Sequence, residues 1–355
     1  MNITRLERGK PVISAFVAGG LLVYLLREVG LDTLVSSLRD VDKGLLALAL
    51  ALHALSLVAA AGRWSTVVGV SGHSSRIRTI LHFMLLDKVA NAIFPTSAVG
   101  VTVRTYLLER EYRIPKARGF ATIVMDYGTD ITMTFLLAIP CFMLMASHLP
   151  ASVKDPVLLS IVLLGIAIAV GIGCNTGPLH GIMNRSVART RLTGPSDHRG
   201  ALVLKGMEIL KTFRLAIERP RLMARAFLFA FGSKGCEVLR AYVLFAAFDV
   251  PVPFALLVLV ESAWIFVSPF MVTPGGIGAV ESGRLAVYTL VTGLSSSASV
   301  PVVFVERFIT FWLMIAIGAL ALLVYRGRDA DHGDGGRGGL DTNAPFIRFP
   351  WAAPS

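Results

Sequence analysis

Four groups of ionisable side chains sit inside long apolar stretches, where a charge is costly enough to mark a functional position. The first comprises Asp87, Lys88, Asn91, Pro95, Gly100 and Arg104. Asp87 and Lys88 are sequence neighbours and cannot face each other on a helix, so each needs another partner or water. Two readings stand open: structural ion-pair partners with Arg104 snorkelling to the headgroups, or a polar site. The second group, Asp126 and Asp130, stands four apart on one helical face. Two like charges at that spacing repel unless a basic side chain, a cation or a proton is shared between them. In the third group Lys234 and Glu237 pair locally, which leaves Arg240 as a buried cation suited to a lipid phosphate. The fourth joins Glu261, alone on its helix, to Pro274, Gly275, Gly276, Gly278, Glu281 and Arg284. Pro-Gly-Gly breaks the chain and lets backbone approach closely. Amides at the following helix start would attract an anion. Glu306 and Arg307, at the start of the last apolar run, read as interfacial.

None of these groups is a catalytic constellation. There is no Ser/His/Asp arrangement, no metal-spaced His/Cys set and no phosphate loop. His53, His82 and His148 are isolated and read as interfacial or core side chains, and Cys141, Cys174 and Cys236 as small hydrophobes. No catalytic residue, metal ligand or cofactor is expected. With no nucleotide motif, any transport would be facilitated or ion-coupled.

The elements that carry these charges follow from composition. Of 355 residues, 54% are hydrophobic and 16% charged, with a mean hydropathy of +0.68. Soluble domains are nearer 45–50% apolar and about 25% charged, so a water-soluble enzyme or nucleic-acid binder is excluded. The net charge of +11 belongs to Lys and Arg of cytoplasmic loops. The expected fold is all-α, a polytopic integral membrane bundle. Apolar runs near the ~20 residues that cross a bilayer cover 11–26, 44–62, 120–146, 157–174, 222–248, 254–273 and 302–325, with shorter runs at 80–95 and 285–294.

Loop charge sets the orientation. Arg5, Arg8 and Lys10 precede a first span that is retained, with no cleavage site before Arg27. The basic stretches 63–78 and 104–118 both belong to the cytoplasm, so residues 80–103 form a hairpin entering and leaving on that side, with its turn near Pro95. The basic loop 175–221 is cytoplasmic as well, and 202–217 is either a surface-lying amphipathic helix or a solvated linker. Arg326 and Arg328 place the C-terminus in the cytoplasm, so 254–294 dips in from outside and turns at Pro274–Gly275–Gly276. The result is six full spans plus two oppositely oriented helical hairpins, about 8–10 membrane segments. Such a pair points to an inverted repeat with a binding site between the hairpins. The domains are a cytoplasmic N-tail (1–10), a transmembrane domain (11–325) and a Gly-rich disordered cytoplasmic tail (326–355).

The stretch PGGIGAVES at 274–282 resembles the signature of the transmembrane region of the lysylphosphatidylglycerol synthase family, the flippase-like domain. Arg63–Trp64, then Asn91, Pro95, Gly100 and Arg104, then Asp126 and Asp130, follow the order of the family's N-x3-P…G…R and E-R-x-x-D patterns. Val101 stands where the family pattern has an acid, and the Pro-to-Gly spacing is about one residue longer. Asp126 replaces Glu, and Tyr127 the following Arg. The resemblance covers roughly residues 10–325. It implies a carrier domain of the cell inner membrane, moving phospholipids or lipid-linked groups of polyprenyl or hopanoid type between leaflets. Fused members carry a soluble aminoacyl-transferase after this domain. The polar residues 326–355 are too few for one, so no synthase activity is expected. The alternative is a non-catalytic membrane subunit that docks or regulates a separate lipid-synthesis enzyme through the 175–221 loop. The expected partners are membrane lipids.

Overall fold

A computed structural model describes residues 39, 41–93, 98–147, 154–155, 158–159, 162, 165, 211–267, 273–292 and 296–321. The first span at 11–26, nearly all of 157–174, most of the 175–221 loop, Pro95 and both tails lie outside the described residues.

The described residues are helical. Helix α1 (Lys43–Val70) starts where the Asp42 carboxylate accepts from Gly44 N and Leu45 N at 2.7 and 3.0 Å. This satisfies two of the donors that a helix start leaves free. It ends at Ser71–Gly72, where Gly72 takes a φ of +89°. Helices α2 (Ile77–Ile93) and α3 (Ala98–Tyr112) form the first hairpin. Helix α4 (Lys116–Met145) follows. Helix α5 (Pro220–Ala247) begins with proline in its first turn, where a missing N–H costs nothing. Helix α6 (Phe254–Val267), a 3₁₀ turn (Pro274–Gly276) and α7 (Ala279–Thr292) make the second hairpin. Helix α8 (Ser296–Arg307) runs through a π turn (Phe308–Trp312) and continues to Ala321.

Segments Lys43–Val70, Lys116–Met145 and Ser299–Ala321 are long and apolar enough to cross a bilayer. Large apolar side chains face outward: Met143 is 74% exposed, Leu144 72% and Leu228 70%. Such a surface is tolerated against lipid and not against water.

Helices α1 and α5 make the most extensive pairing and run antiparallel along their whole length. Asp42 N donates to Ala247 O at one end (3.2 Å). Ser233 Oγ donates to Ser56 O in the middle (3.2 Å). Arg219 Nη1 donates to Gly69 O and Val70 O at the other end (3.2 and 3.1 Å). The approach is close enough that a Cβ on Gly62 would stand 2.6 Å from the Phe229 ring, the kind of small-residue contact that draws membrane helices together.

Each helix then leads into a hairpin and a further long helix, so the described residues from Lys43 on form two halves, α1–α4 and α5–α8. Each half has its own buried aromatic centre: Trp64 and Phe83, with the half-buried Tyr112 against them, in the first, and Phe245 and Tyr288 in the second. Because α1 and α5 are antiparallel, the halves are inverted relative to one another. The hairpin tips meet: a Cβ on Gly275 would lie 3.5 Å from Ala92 Cα and collide with the Phe311 ring.

One boundary differs from the sequence reading. Arg63 and Trp64, assigned by charge to the cytoplasmic stretch 63–78, lie inside α1 and are 5% and 0% exposed. Apolar and hydroxyl side chains continue the helix to Val70, and Thr66 Oγ1 returns its proton to Gly62 O at 2.7 Å. The basic stretch 63–78 thus shortens to a turn at 71–76.

Candidate functional site: two matched ionic relays

The first hairpin is closed by polar contacts across its two helices. Asn91 Nδ2 donates to Asp87 Oδ1 at 2.7 Å, while Asn91 Oδ1 accepts from Gly100 N at 2.9 Å. Arg104 donates through Nη2 and Nε to Asp87 Oδ2 at 2.6 and 3.0 Å. Gly100 is required there, since a Cβ would run into the Asp87 carboxylate and the Asn91 amide. Arg104 is 4% exposed and does not snorkel. Its guanidinium is flanked by the Trp64 ring at 4.9 Å and the Tyr127 ring at 5.7 Å, a cation–π setting that arginine suits. Lys88 is exposed and has no ion-pair partner among the described residues.

The relay continues into α4, α1 and α5. Asp126 accepts from Arg63 Nε at 2.7 Å and has Arg104 Nη1 at 3.8 Å. Asp130 is bound by Arg63 Nη1 and by Lys234 Nζ, the latter at 3.0 Å. The two aspartates therefore share cationic side chains, one of the solutions their spacing allowed. Lys234 also meets Glu237 at 2.8 Å, the local pair expected from the sequence.

Arg240 is not an uncompensated cation. Its Nη2 donates to Glu306 Oε1 at 3.1 Å and its Nη1 contacts His53 Nδ1 at 3.1 Å. Glu306 sits 2% exposed rather than at the interface, and it also holds Arg284. Arg284 makes a bidentate contact with Glu261 at 3.0 and 3.1 Å and lies 5.2 Å from the Trp264 ring. Tyr288 Oη donates to Glu261 at 3.1 Å. Glu261 is alone on its helix in sequence but has two partners in space.

At the second tip, Gly275, Gly276 and Gly278 have φ of +60°, +70° and +77°, a run of left-handed backbone that only glycine takes without strain. With Pro274 they form the turn that precedes α7. Its first turn holds the chain's own anion, Glu281, in the position a helix dipole favours. Arg307 Nε donates to Glu281 at 2.9 Å, and Arg307 Nη2 donates to Gly275 O.

The two halves repeat one pattern. Ser56 and Ser233, which touch at the crossing of α1 and α5, are 177 positions apart, and Arg63 and Arg240 are separated by the same interval. From Arg63 the first relay runs to Asp126, Arg104 and Asp87; from Arg240 the second runs to Glu306, Arg284 and Glu261. In both, the acid on the first hairpin helix binds the arginine on the second, and the acid on the following long helix joins that arginine to the one on the opening helix. Sequence reasoning missed Glu306, Arg307, Tyr288 and His53, and quoted Arg63 without giving it a partner. A signal was present: Glu306 follows Arg284 at the same interval as Asp126 follows Arg104.

No group of three His, Cys, Asp or Glu side chains is arranged to hold a metal ion among the described residues. What the arrangement can do is hold a polar seam at membrane depth: Asp87 is roughly ten residues, or about 15 Å, inside the start of α2. Each buried charge there is stable only while paired.

Comparison with known proteins places this geometry in a family. The chain is 23% identical over 313 residues to a UPF0104 membrane protein of Methanothermobacter thermautotrophicus, covering 85% of this chain and 91% of that one. A second UPF0104 membrane protein of the same organism is 23% identical over 333 residues, 90% and 94% of the two chains. One of Pyrococcus horikoshii is 22% identical over 333 residues, 89% and 98%. The model of the lysylphosphatidylglycerol synthase TM region matches residues 12–318, and the chain is an integral membrane protein belonging to that family.

Proposed function

We propose that the protein is a lipid carrier and not an enzyme, moving a phospholipid or a lipid-linked substrate of polyprenyl or hopanoid type between the leaflets of the inner membrane, with both termini cytoplasmic. The observation that carries this reading is the meeting of two inverted hairpins, each bearing an Arg–acid relay at membrane depth. Broken helices at a repeat interface are where carriers bind polar substrates, and irregular backbone survives in hydrocarbon only where protein or a wet cavity surrounds it. The substrate-binding residues of this reading are Lys88, Asn91 and Arg104 on the first hairpin and Asp126 and Asp130 on α4. With them go Lys234, Glu237 and Arg240 on α5, and Glu261, Glu281 and Arg284 with the glycine turn at Pro274, Gly275, Gly276 and Gly278. Because the arginines are tied to carboxylates, a headgroup enters by exchanging partners within a relay. This sets one half moving against the other.

Leaflet exchange in proteoliposomes tests the proposal, using fluorescent phospholipids and polyprenyl phosphates. Protein-dependent exchange of at least one class is expected, and its loss in Arg284→Met. Purified protein that exchanges none and binds no headgroup overturns it.

A further inference from the structure

We infer that the two hairpins are mechanically unequal: α2–α3 slides against α4 as a unit, while α6–α7 is fastened to α8. The inference rests on the carrier reading above only for what the motion serves.

The repeat allows the two hairpin junctions to be compared position by position. Arg104 and Arg284 stand 180 positions apart, and so do Asp126 and Glu306. At the same interval Leu108 matches Tyr288, Val101 matches Glu281 and Tyr127 matches Arg307. Each of these positions ties the second hairpin to α8, and each does less in the first half. Arg284 Nη1 lies 2.5 Å from Glu306 Oε1. Arg104 Nη1 lies 3.8 Å from Asp126 Oδ2, beyond hydrogen-bond distance, and this buried donor has no acceptor among the described residues. Tyr288 Oη lies 3.4 Å from Glu306, whereas Leu108 has no polar group to offer. Arg307 of α8 donates to Glu281 at 2.9 Å and to Gly275 O at the hairpin tip. In the first half the same two positions carry no charge. Val101 packs on the apolar cluster of that half, and Tyr127 is 39% exposed.

The first hairpin is nevertheless tied within itself. Across α2 and α3, Gly100 N donates to Asn91 Oδ1, and Arg104 donates twice to Asp87. It therefore moves without coming apart. Its contacts with its surroundings are of a kind that tolerates sliding. Where α3 meets α4, Leu108 and the methyl of Thr105 lie over Gly119 in ordinary van der Waals contact. Toward α1, the Arg104 guanidinium meets the Trp64 ring at 4.9 Å, a face contact without a fixed hydrogen-bond direction. Dispersion contacts are individually small and re-form after a small shift, as in the shear of packed helices. A charge-assisted hydrogen bond is directional and must break. The exposed Lys116–Glu109 pair also joins α3 to α4, but beside the 113–115 turn, where the two helices pivot.

The test uses full-length protein in phosphatidylcholine nanodiscs, with Cys141, Cys174 and Cys236 replaced. Nitroxide labels at Thr102→Cys and Leu136→Cys report the first hairpin against α4. Labels at Ser282→Cys and Ala316→Cys report the second against α8. Double electron–electron resonance is expected to give a broad or double-peaked distance distribution for the first pair and a narrow one for the second. Val101→Glu with Tyr127→Arg gives the first junction the clasp of the second, and is expected to narrow the first distribution. Glu281→Val with Arg307→Tyr is the reciprocal exchange, and is expected to broaden the second. Each exchange adds or removes both charges together, and the wild-type comparison decides alone where a variant expresses poorly. A second pair as broad as the first in wild type overturns the inference, as does an unchanged first pair in folded Val101→Glu/Tyr127→Arg protein. Leaflet exchange by the same proteins separates this inference from the carrier reading. Exchange is expected to slow about tenfold or more in Val101→Glu/Tyr127→Arg; unchanged exchange with a narrowed first pair overturns the hairpin's part in transport. A broad first pair in protein that moves no lipid supports the sliding hairpin and overturns the carrier reading alone.

Discussion

Glu306 concentrates the energetics of the second relay in one carboxylate. It accepts from Arg240 and Arg284 and receives Tyr288 Oη at 3.4 Å, all with 2% exposure. Replacing this acid by its amide takes from Arg240 its one carboxylate partner among the described residues and leaves Arg284 with Glu261 alone, a change that costs about 3–5 kcal/mol where one partner of a buried pair is removed. Glu306→Gln is therefore expected to lower the thermal unfolding midpoint in detergent by several degrees and to abolish exchange. The contrast is the Lys116–Glu109 pair, whose side chains are 68% and 41% exposed. Solvent screens it, and Lys116→Ala is expected to stay within about 0.5 kcal/mol of wild type. If the two variants melt alike, the buried relay is not what holds these helices together.

At the scale of the elements, glycine decides which helices come close. Gly100 lets α3 lie against the Asp87 and Asn91 side chains of α2, and any Cβ there displaces them. Gly235, inside α5, has nothing within 4 Å of its Cβ position. Gly100→Ala is expected to destabilise by about 1–3 kcal/mol, the cost of an overpacked core. Gly235→Ala is expected to be neutral or to stabilise by up to about 1 kcal/mol through helix propensity. Unfolding of the two variants in detergent checks both signs. The hairpins were legible in the sequence because the residues that build them are local: Asn91, Gly100 and Arg104, or Pro274 through Gly278, announce a break and a polar lining. Partners were not legible. Arg63 read as the end of a helix because a lone cation beside a Trp has the same local signature at an interface as in a buried ion pair, and its acids lie 63 and 67 positions away. Arg240 read as a free cation for the same reason, since Glu306 is 66 positions on. The π turn at Phe308–Trp312, directly after Arg307, has no sequence signal either. It adds a residue to one turn, which shifts the faces of α8 on either side of it, a device common at functional sites.

For the molecule as a whole, the inverted repeat fixes which loops share a side. The two-fold relation that exchanges α1 with α5 passes near the Ser56–Ser233 contact, so it carries the α1–α2 turn at 71–76 onto the α5–α6 turn at 248–253, on the opposite face of the membrane. Charge agrees: the first turn leads into Arg76 and Arg78, while the second holds Asp249 and no basic residue, as expected if the first faces the cytoplasm. Ser74 and Asp249 are both exposed, which makes them suitable labelling positions. In a background with Cys141, Cys174 and Cys236 replaced, Ser74→Cys is expected to react with a membrane-impermeant maleimide only in inverted vesicles, and Asp249→Cys only in right-side-out ones. Reaction of both from one side would make the halves parallel, contradict the antiparallel course of α1 and α5, and remove the geometric basis for a substrate that exchanges sides between them. Reaction from opposite sides fits the inverted course of the two halves, which Lys234 bridges from α5 to Asp130 of α4. Any motion that opens one half must therefore strain or break that bridge, which couples the two.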